Sequence, residues 1–280
     1  MNCKVLPNDI SGTNIIRDAM PLLAIQNLFI TFAENDRGNL QPTIFDVSLE
    51  INRGEIFAIV GESGSGKSLT TLAIGRLLPP HARIAGKITF ADVSLLDLTE
   101  KNMRKMRGKR IAYIFQEPMA CLNPLRSIGF QICECIRIHN PSLSRTEVGR
   151  IAINTLERLH FQNPCDVLRA HAHQLSGGMQ QRIGIAMAIC NHPQLLIADE
   201  PTTAMDGTSE RIVLDLLLEL QRMDGFALLL VTHNLNIVRE IAHRMAVMHH
   251  GRLLEFGKPS DIFANPQHEY TRKLSEAFSF

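Results

Sequence analysis

The stretch from Glu55 to Leu78 constrains the fold more than any other part of the chain. A short, continuous apolar run, Glu55 to Val60, reads as a buried strand, and Ser68 to Leu78 carries apolar residues at helical spacing. Between them stands Gly61-Glu62-Ser63-Gly64-Ser65-Gly66-Lys67-Ser68, which satisfies G-x-x-x-x-G-K-[ST] in the strand, loop, helix setting that this pattern requires. Glycines at 61, 64 and 66 let the backbone take conformations closed to other residues, so successive N–H groups, through Leu69, can turn inward around an anion. The helix start near Lys67 adds the positive end of its dipole. Lys67 is then a point charge for β- and γ-phosphates, and the Ser68 hydroxyl is a ligand for Mg²⁺.

A second strand supports the same chemistry. Leu195-Leu196-Ile197-Ala198-Asp199-Glu200 is four apolar residues ending in two carboxylates, the pattern of a buried parallel strand that delivers acids to the carboxyl edge of a sheet. Asp199 is the candidate to hold Mg²⁺, and Glu200 the candidate general base for an attacking water.

The rest of the chain supplies a frame for these two strands. Leu22 to Phe32 and Thr43 to Ile51 alternate as half-buried strands do, and Arg83 to Phe90 and Arg110 to Phe115 read as further strands. Pro124 to Arg169 is helical in pattern, with Ile128, Ile132 and Ile136 on one stripe. From Met179 onward helices and strands alternate, which predicts a parallel sheet covered on both faces. Residues 1–20 show no periodicity and are expected to form a loose tail, with Met20 as a natural initiator; residues 21–280 form the folded part.

Composition excludes several classes. Formal net charge is +1 in 280 residues, so no global basic field recruits nucleic acid. No apolar run approaches the roughly 20 residues of a spanning helix, and the N-terminus lacks the form of a signal peptide. The six cysteines (Cys3, Cys121, Cys133, Cys135, Cys165, Cys190) include no C-x-x-C pair and are expected to be reduced thiols. Cys133 and Cys135, two apart on a helix, point to different faces and are not expected to bind metal.

Leu175-Ser176-Gly177-Gly178-Met179-Gln180-Gln181-Arg182 has no general reading beyond a glycine turn at a helix start capped by Ser176. It resembles the signature of ABC-transporter ATPases, and its place between the phosphate loop and Asp199-Glu200 matches that family's order of motifs. The resemblance implies an α/β fold: a P-loop NTPase core with a mostly parallel sheet, an N-terminal antiparallel β subdomain and an inserted α-helical subdomain at about 122–178. It implies ATP and Mg²⁺ as cofactors, with Glu200, His233 and Gln116 catalytic and with Ser68, Gln116 and Asp199 around the metal. Phe32 then stacks on adenine. Ser176, Gly177, Gly178, Gln180 and Asp206 then face the ATP of a second ATPase domain packed head to tail.

Further stretches resemble the oligopeptide, dipeptide and nickel importers of this family: Phe115 to Pro124, His171-Ala172-His173-Gln174, and Pro266-Gln267-His268-Glu269-Tyr270-Thr271. That resemblance implies an ATPase subunit powering peptide uptake from the cytoplasmic face of the inner membrane, bound peripherally. Its implied partners are two permease subunits, a second ATPase (sister chain or self), and an extracytoplasmic solute-binding protein. Nickel or a metal chelate is the alternative cargo, and a soluble non-transport ABC ATPase the more distant alternative. No iron–sulfur site is expected, since the cysteine-bearing tail of many peptide importers is not present. The helical insert is expected to dock on a permease, with Ile136 as an exposed apolar contact.

Overall fold

The computed structural model describes residues 20–34, 39–116, 121–202 and 207–276. The expected N-terminal tail lies outside them. Two sheets and a helical insert build the fold. The first sheet is antiparallel, with strand order β2, β1, β4, β5, formed by β1 (Leu23–Glu34), β2 (Asn39–Ile51), β4 (Ala82–Phe90) and β5 (Val93–Ser94). The second has the order β10, β9, β3, β8, β7, β6 and comprises β3 (Ile56–Val60), β6 (Ile111–Ile114), β7 (Leu195–Asp199), β8 (Ala227–Thr232), β9 (Arg244–His249) and β10 (Arg252–Gly257). Its strands run parallel except β10, which pairs antiparallel with β9 at the edge.

The central strands are almost wholly apolar, β8 ending in Thr232, because both of their faces are covered: every residue of β3 and of β8 is buried. Alternation along each strand divides the core. Phe57 and Ile59, with Ile197 and Leu229, join the antiparallel sheet and α1 (Lys67–Ile74) in one cluster. Leu196, Ala198, Leu228 and Leu230 point the other way, into a cluster shared with the insert. Ala58 and Val60 pack with Val238 and Ile262 in a third.

The insert contains α3 (Ile128–His139), α4 (Arg145–Arg158) and α5 (Pro164–Arg169), and leads into α6 (Gly177–Ile189). Ser127 and Ser144 cap α3 and α4; at Ser144 the cap is reciprocal, with Glu147 Oε2 accepting from the Ser144 N–H at 2.7 Å. The stripe of Ile128, Ile132 and Ile136 is fully buried against Val148, Ala152 and Leu156. Ile136 is therefore not the exposed contact expected from the sequence. The exposed isoleucine on this helix is Ile138.

Other differences are local. Helix α1 ends at Ile74 rather than near Leu78, because Gly75 caps it and Arg76 adopts φ +50°. Helix α2 (Glu100–Met106), capped by Thr99, was not anticipated. Neither were β10 nor the closing helices α9 (Pro259–Ala264) and α10 (Glu269–Glu276). Between them and the insert lie α7 (Gly207–Asp224) and α8 (Leu235–Ile241). No helix among the described residues is long and apolar enough to cross a membrane.

Candidate functional site

Strands β3, β7 and β8 end side by side, so the segments that follow them meet at one sheet edge. After β3 comes the glycine loop. Gly61, Gly64 and Gly66 take φ of +154°, +79° and +105°. A side chain at Gly61 would also collide, since a Cβ there would lie 2.1 Å from the Met248 carbonyl oxygen. The Gly251 N–H, from the β9 to β10 turn, donates to the Ser65 carbonyl at 2.9 Å and ties the loop to the sheet.

Lys67 is buried at the start of α1, and its ammonium donates to the carbonyls of Gly61 and Glu62, each at 2.8 Å. Burial lowers its pKa, and the negative charges of Glu200, Asp199 and Glu62 oppose that shift. Asp199 shows the converse. Burial raises its pKa, the neighbouring Glu200 adds to the rise, and a hydrogen bond from Ser68 and the charge of Lys67 restrain it. Its Oδ1 is buried with no hydrogen-bond partner among the described residues. A buried carboxylate oxygen left over beside a serine hydroxyl suits a hard cation that takes oxygen ligands, so Ser68 and Asp199 fit Mg²⁺, and Gln116 lines the same cleft as Ser68.

Glu200 follows β7 with φ +45°, and its N–H donates to the Val231 carbonyl at 2.9 Å. That turn swings the side chain from the sheet toward the loop. Gln116, just after β6, donates from Nε2 to Glu200 Oε2 at 3.3 Å, and His233 Nδ1, just after β8, lies 3.7 Å from the same oxygen. Gln116 and His233, two of the three predicted catalytic residues, therefore converge on the carboxylate of the third, Glu200. They line, with Ser63, Gly64, Gly66, Lys67, Ser68 and Leu69, a cleft of about 410 Å³.

Phe32 and Gln180 lie apart from the lining of this cleft. Phe32 is partly buried against the antiparallel sheet's core, its ring 5.7 Å from that of His81, and does not line the cleft. Gln180 was expected to face a second domain, but it is buried, and its amide donates to the carbonyls of Ala172 at 2.8 Å and Leu175 at 3.0 Å. It holds the turn ahead of α6. Ser176 caps α6 by accepting from the Met179 N–H, while Gly177 and Gly178 are exposed, with nothing within 4 Å of where a Cβ would be. None of these three lines the cleft. Asp206 lies outside the described residues.

Sequence reasoning missed Tyr270 of α10, whose hydroxyl accepts from the Glu62 N–H of the glycine loop at 3.0 Å. It also missed Gln181, which donates to the Pro201 carbonyl and so links α6 to the acidic strand end.

The family profile described as ABC transporter matches residues 44–203, more than half of the chain. The chain belongs to the ABC transporter family. Its match to the oligopeptide transport ATP-binding protein OppD of Lactococcus lactis subsp. cremoris is 44% identical over 238 residues, 85% of this chain and 70% of that one. A protein described as the uncharacterized ABC transporter ATP-binding protein YejF, of Escherichia coli K12, is 46% identical over 90% of this chain, which spans about half (48%) of its length. Among solved structures, a dimeric ATP-binding cassette in a post-hydrolysis state, bound to ADP and Pi, aligns with a TM-score of 0.74. It is 28% identical, and the alignment covers 85% of this chain and 98% of that one. The ABC ATPase fold expected from the sequence is thus the fold observed. The glycine loop, the Asp199-Glu200 pair and the Ser176 helix start all fall within the matched residues.

Proposed function

We propose that this ABC domain is the ATP-hydrolysing subunit of a peptide importer. The observation that carries the proposal is the convergence of Gln116 and His233 on Glu200 at the mouth of the loop that holds Lys67. ATP binds with its phosphates against the loop N–H groups and Lys67. Glu200 takes a proton from the attacking water, Gln116 orients the carboxylate, and His233, largely exposed at the rim, reaches toward the terminal phosphate. Ser68, Asp199 and Gln116 would hold Mg²⁺, which would neutralise part of the phosphate charge.

The exposed start of α6 completes the site in trans. Ser176, Gly177 and Gly178 approach the ATP of a second ATPase domain, with Asp206 at the same interface, so ATP closes the pair and hydrolysis opens it. Gln180, turned inward, supports that surface instead of touching the partner.

A groove of about 320 Å³ between the insert and the core, lined by Leu77, Phe115, Cys121, Cys135, Met187 and Ala188 among others, suits an apolar helix of a permease. Phe115 immediately precedes Gln116, so a helix seated there acts on the catalytic cleft directly. The subunit then works peripherally on the cytoplasmic face of the inner membrane, with two permease subunits and a solute-binding protein. Relatives named for oligopeptide and dipeptide transport support peptide as cargo.

The test is uptake by vesicles holding the chain with its permeases, sister ATPase and binding protein. ATP-driven accumulation of a labelled oligopeptide, lost in Phe115→Asp while ATP binding persists, is expected. Uptake of a nickel chelate in place of peptide would reassign the cargo. ATP hydrolysis without any uptake would remove the transport reading.

A further inference from the structure

The motif Pro266 to Thr271 has no part in the chemistry described above, yet one of its side chains reaches the phosphate loop from 208 residues away: the Tyr270 hydroxyl accepts from the Glu62 N–H at 3.0 Å. The tyrosine is itself held. Its ring stacks on His249, with centroids 3.9 Å apart and planes 21° apart, and His249 closes β9 beside the turn that ties Ser65. Its N–H donates to His268 Nδ1 at 3.1 Å, and the His268 N–H donates to Glu255 Oε1 on β10 at 2.6 Å. Thr271, the next residue, is fully buried. The hydroxyl thus approaches the loop from a rigid support anchored on two strands and is not a swinging surface group.

Glu62 is held from two sides. Its N–H is bonded to Tyr270 and its carbonyl to Lys67. The Lys67 ammonium has three N–H donors and spends two on the Gly61 and Glu62 carbonyls, so meeting both the β- and γ-phosphates of ATP takes at least one of these bonds from the loop. The Tyr270 bond is made by the Glu62 N–H and not by Lys67, so that exchange does not consume it. We propose that Tyr270 is a positioning residue for ATP binding, a latch from the C-terminal helix that keeps the phosphate loop in its anion-binding shape when Lys67 turns to the nucleotide. The inference rests on the reading of the cleft as the ATP site. It also makes the C-terminal segment a route by which anything that displaces α10 lowers ATP affinity.

The test compares the parent with Tyr270→Phe, which removes only the hydroxyl and keeps the ring stacked on His249. Two measurements are made: the Kd for Mg·ATP, taken in a Glu200→Gln background to prevent turnover, and amide hydrogen exchange of residues 61–67 without nucleotide. The expected result is a Kd weakened roughly 2- to 10-fold, the effect of one net hydrogen bond. Faster exchange in the loop peptide, with Tm and exchange elsewhere unchanged, accompanies it. In the hydrolysing chain, KM for ATP rises and kcat holds. An unchanged Kd with unchanged loop exchange overturns the latch. So does a fall in Tm with the Kd unaltered, which marks a purely structural tyrosine. If the parent fails to bind ATP, the reading of the cleft falls, and the exchange measurement, which needs no nucleotide, still decides the latch.

Discussion

Ile136 and Ile138 stand two apart on α3 and offer a controlled comparison, since the same substitution to alanine meets opposite surroundings. Ile136 is 0% exposed in the core shared by α3, α4 and α6, whereas Ile138 is 68% exposed. Ile136→Ala removes three buried carbons and leaves a cavity among Ile132, Val148 and Leu156, which costs about 2–5 kcal/mol for a core isoleucine. At about 2–4 °C per kcal/mol for a domain of this size, Tm falls by roughly 4–20 °C. Ile138→Ala loses little packing and gains a few tenths of a kcal/mol of helix propensity, so it stays within about 0.5 kcal/mol of the parent. Urea unfolding followed by circular dichroism measures both. Equal losses in the two variants, or a cost below about 1 kcal/mol for Ile136→Ala, would refute the assignment of the insert's inner face.

Two further outcomes follow from charged groups. Glu55 is buried, and Arg244, a quarter exposed, bonds it at 2.8 Å from Nη2 while lying over the rings of Phe57 and Phe256. Arg244→Met keeps roughly the volume but leaves the carboxylate only the Asn52 N–H, from which it accepts at 2.6 Å, at a cost of about 3 kcal/mol, the low end for a buried pair; a neutral result in denaturant unfolding would show the pair to be solvated. Burial, reinforced by Lys109, lowers the pKa of His139 at the end of α3, so the fold disfavours its protonated form. The unfolded chain takes up that proton near pH 6.5, and stability therefore falls as pH drops below about 6.5. His139→Gln should flatten the decline in Tm between pH 7.5 and 5.5, and an unchanged slope would exclude this group as a cause.

The parts of this fold that were legible in the sequence are those whose physics is local. Gly61 to Ser68 needs no distant contact to declare a phosphate loop, because the positive φ angles at Gly61, Gly64 and Gly66 are demanded by the turn itself. Leu195 to Glu200 carries its burial and its acids in one run. The isoleucine stripe of α3 was also legible, and read consistently it points Ile136 inward; naming it as a surface contact contradicted its own period. The inward turn of Gln180 was hidden because α6 is apolar nearly all round, with Ile183, Ile185, Ala186 and Ile189 all buried, and a helix without a polar face gives no bearing for one amide. Phe32 was assigned from resemblance alone, because an aromatic at a strand end carries no local mark of a nucleotide platform. The Tyr270 contact spans the folded chain and depends on where β9 and β10 place α10, so no window of sequence contains it.

The most direct measurement is ATP hydrolysis and ATP-dependent dimerisation of the purified chain, with its sister ATPase where one is required, for Glu200→Gln beside the parent. The substitution keeps the shape of the side chain that Gln116 and His233 meet and removes its capacity to accept a proton. The account predicts that the variant binds ATP, forms a stable ATP-bound dimer and loses turnover by about 10²- to 10⁴-fold. Hydrolysis at the parent's rate would contradict the role given to Glu200 and, with it, the catalytic site built around that carboxylate.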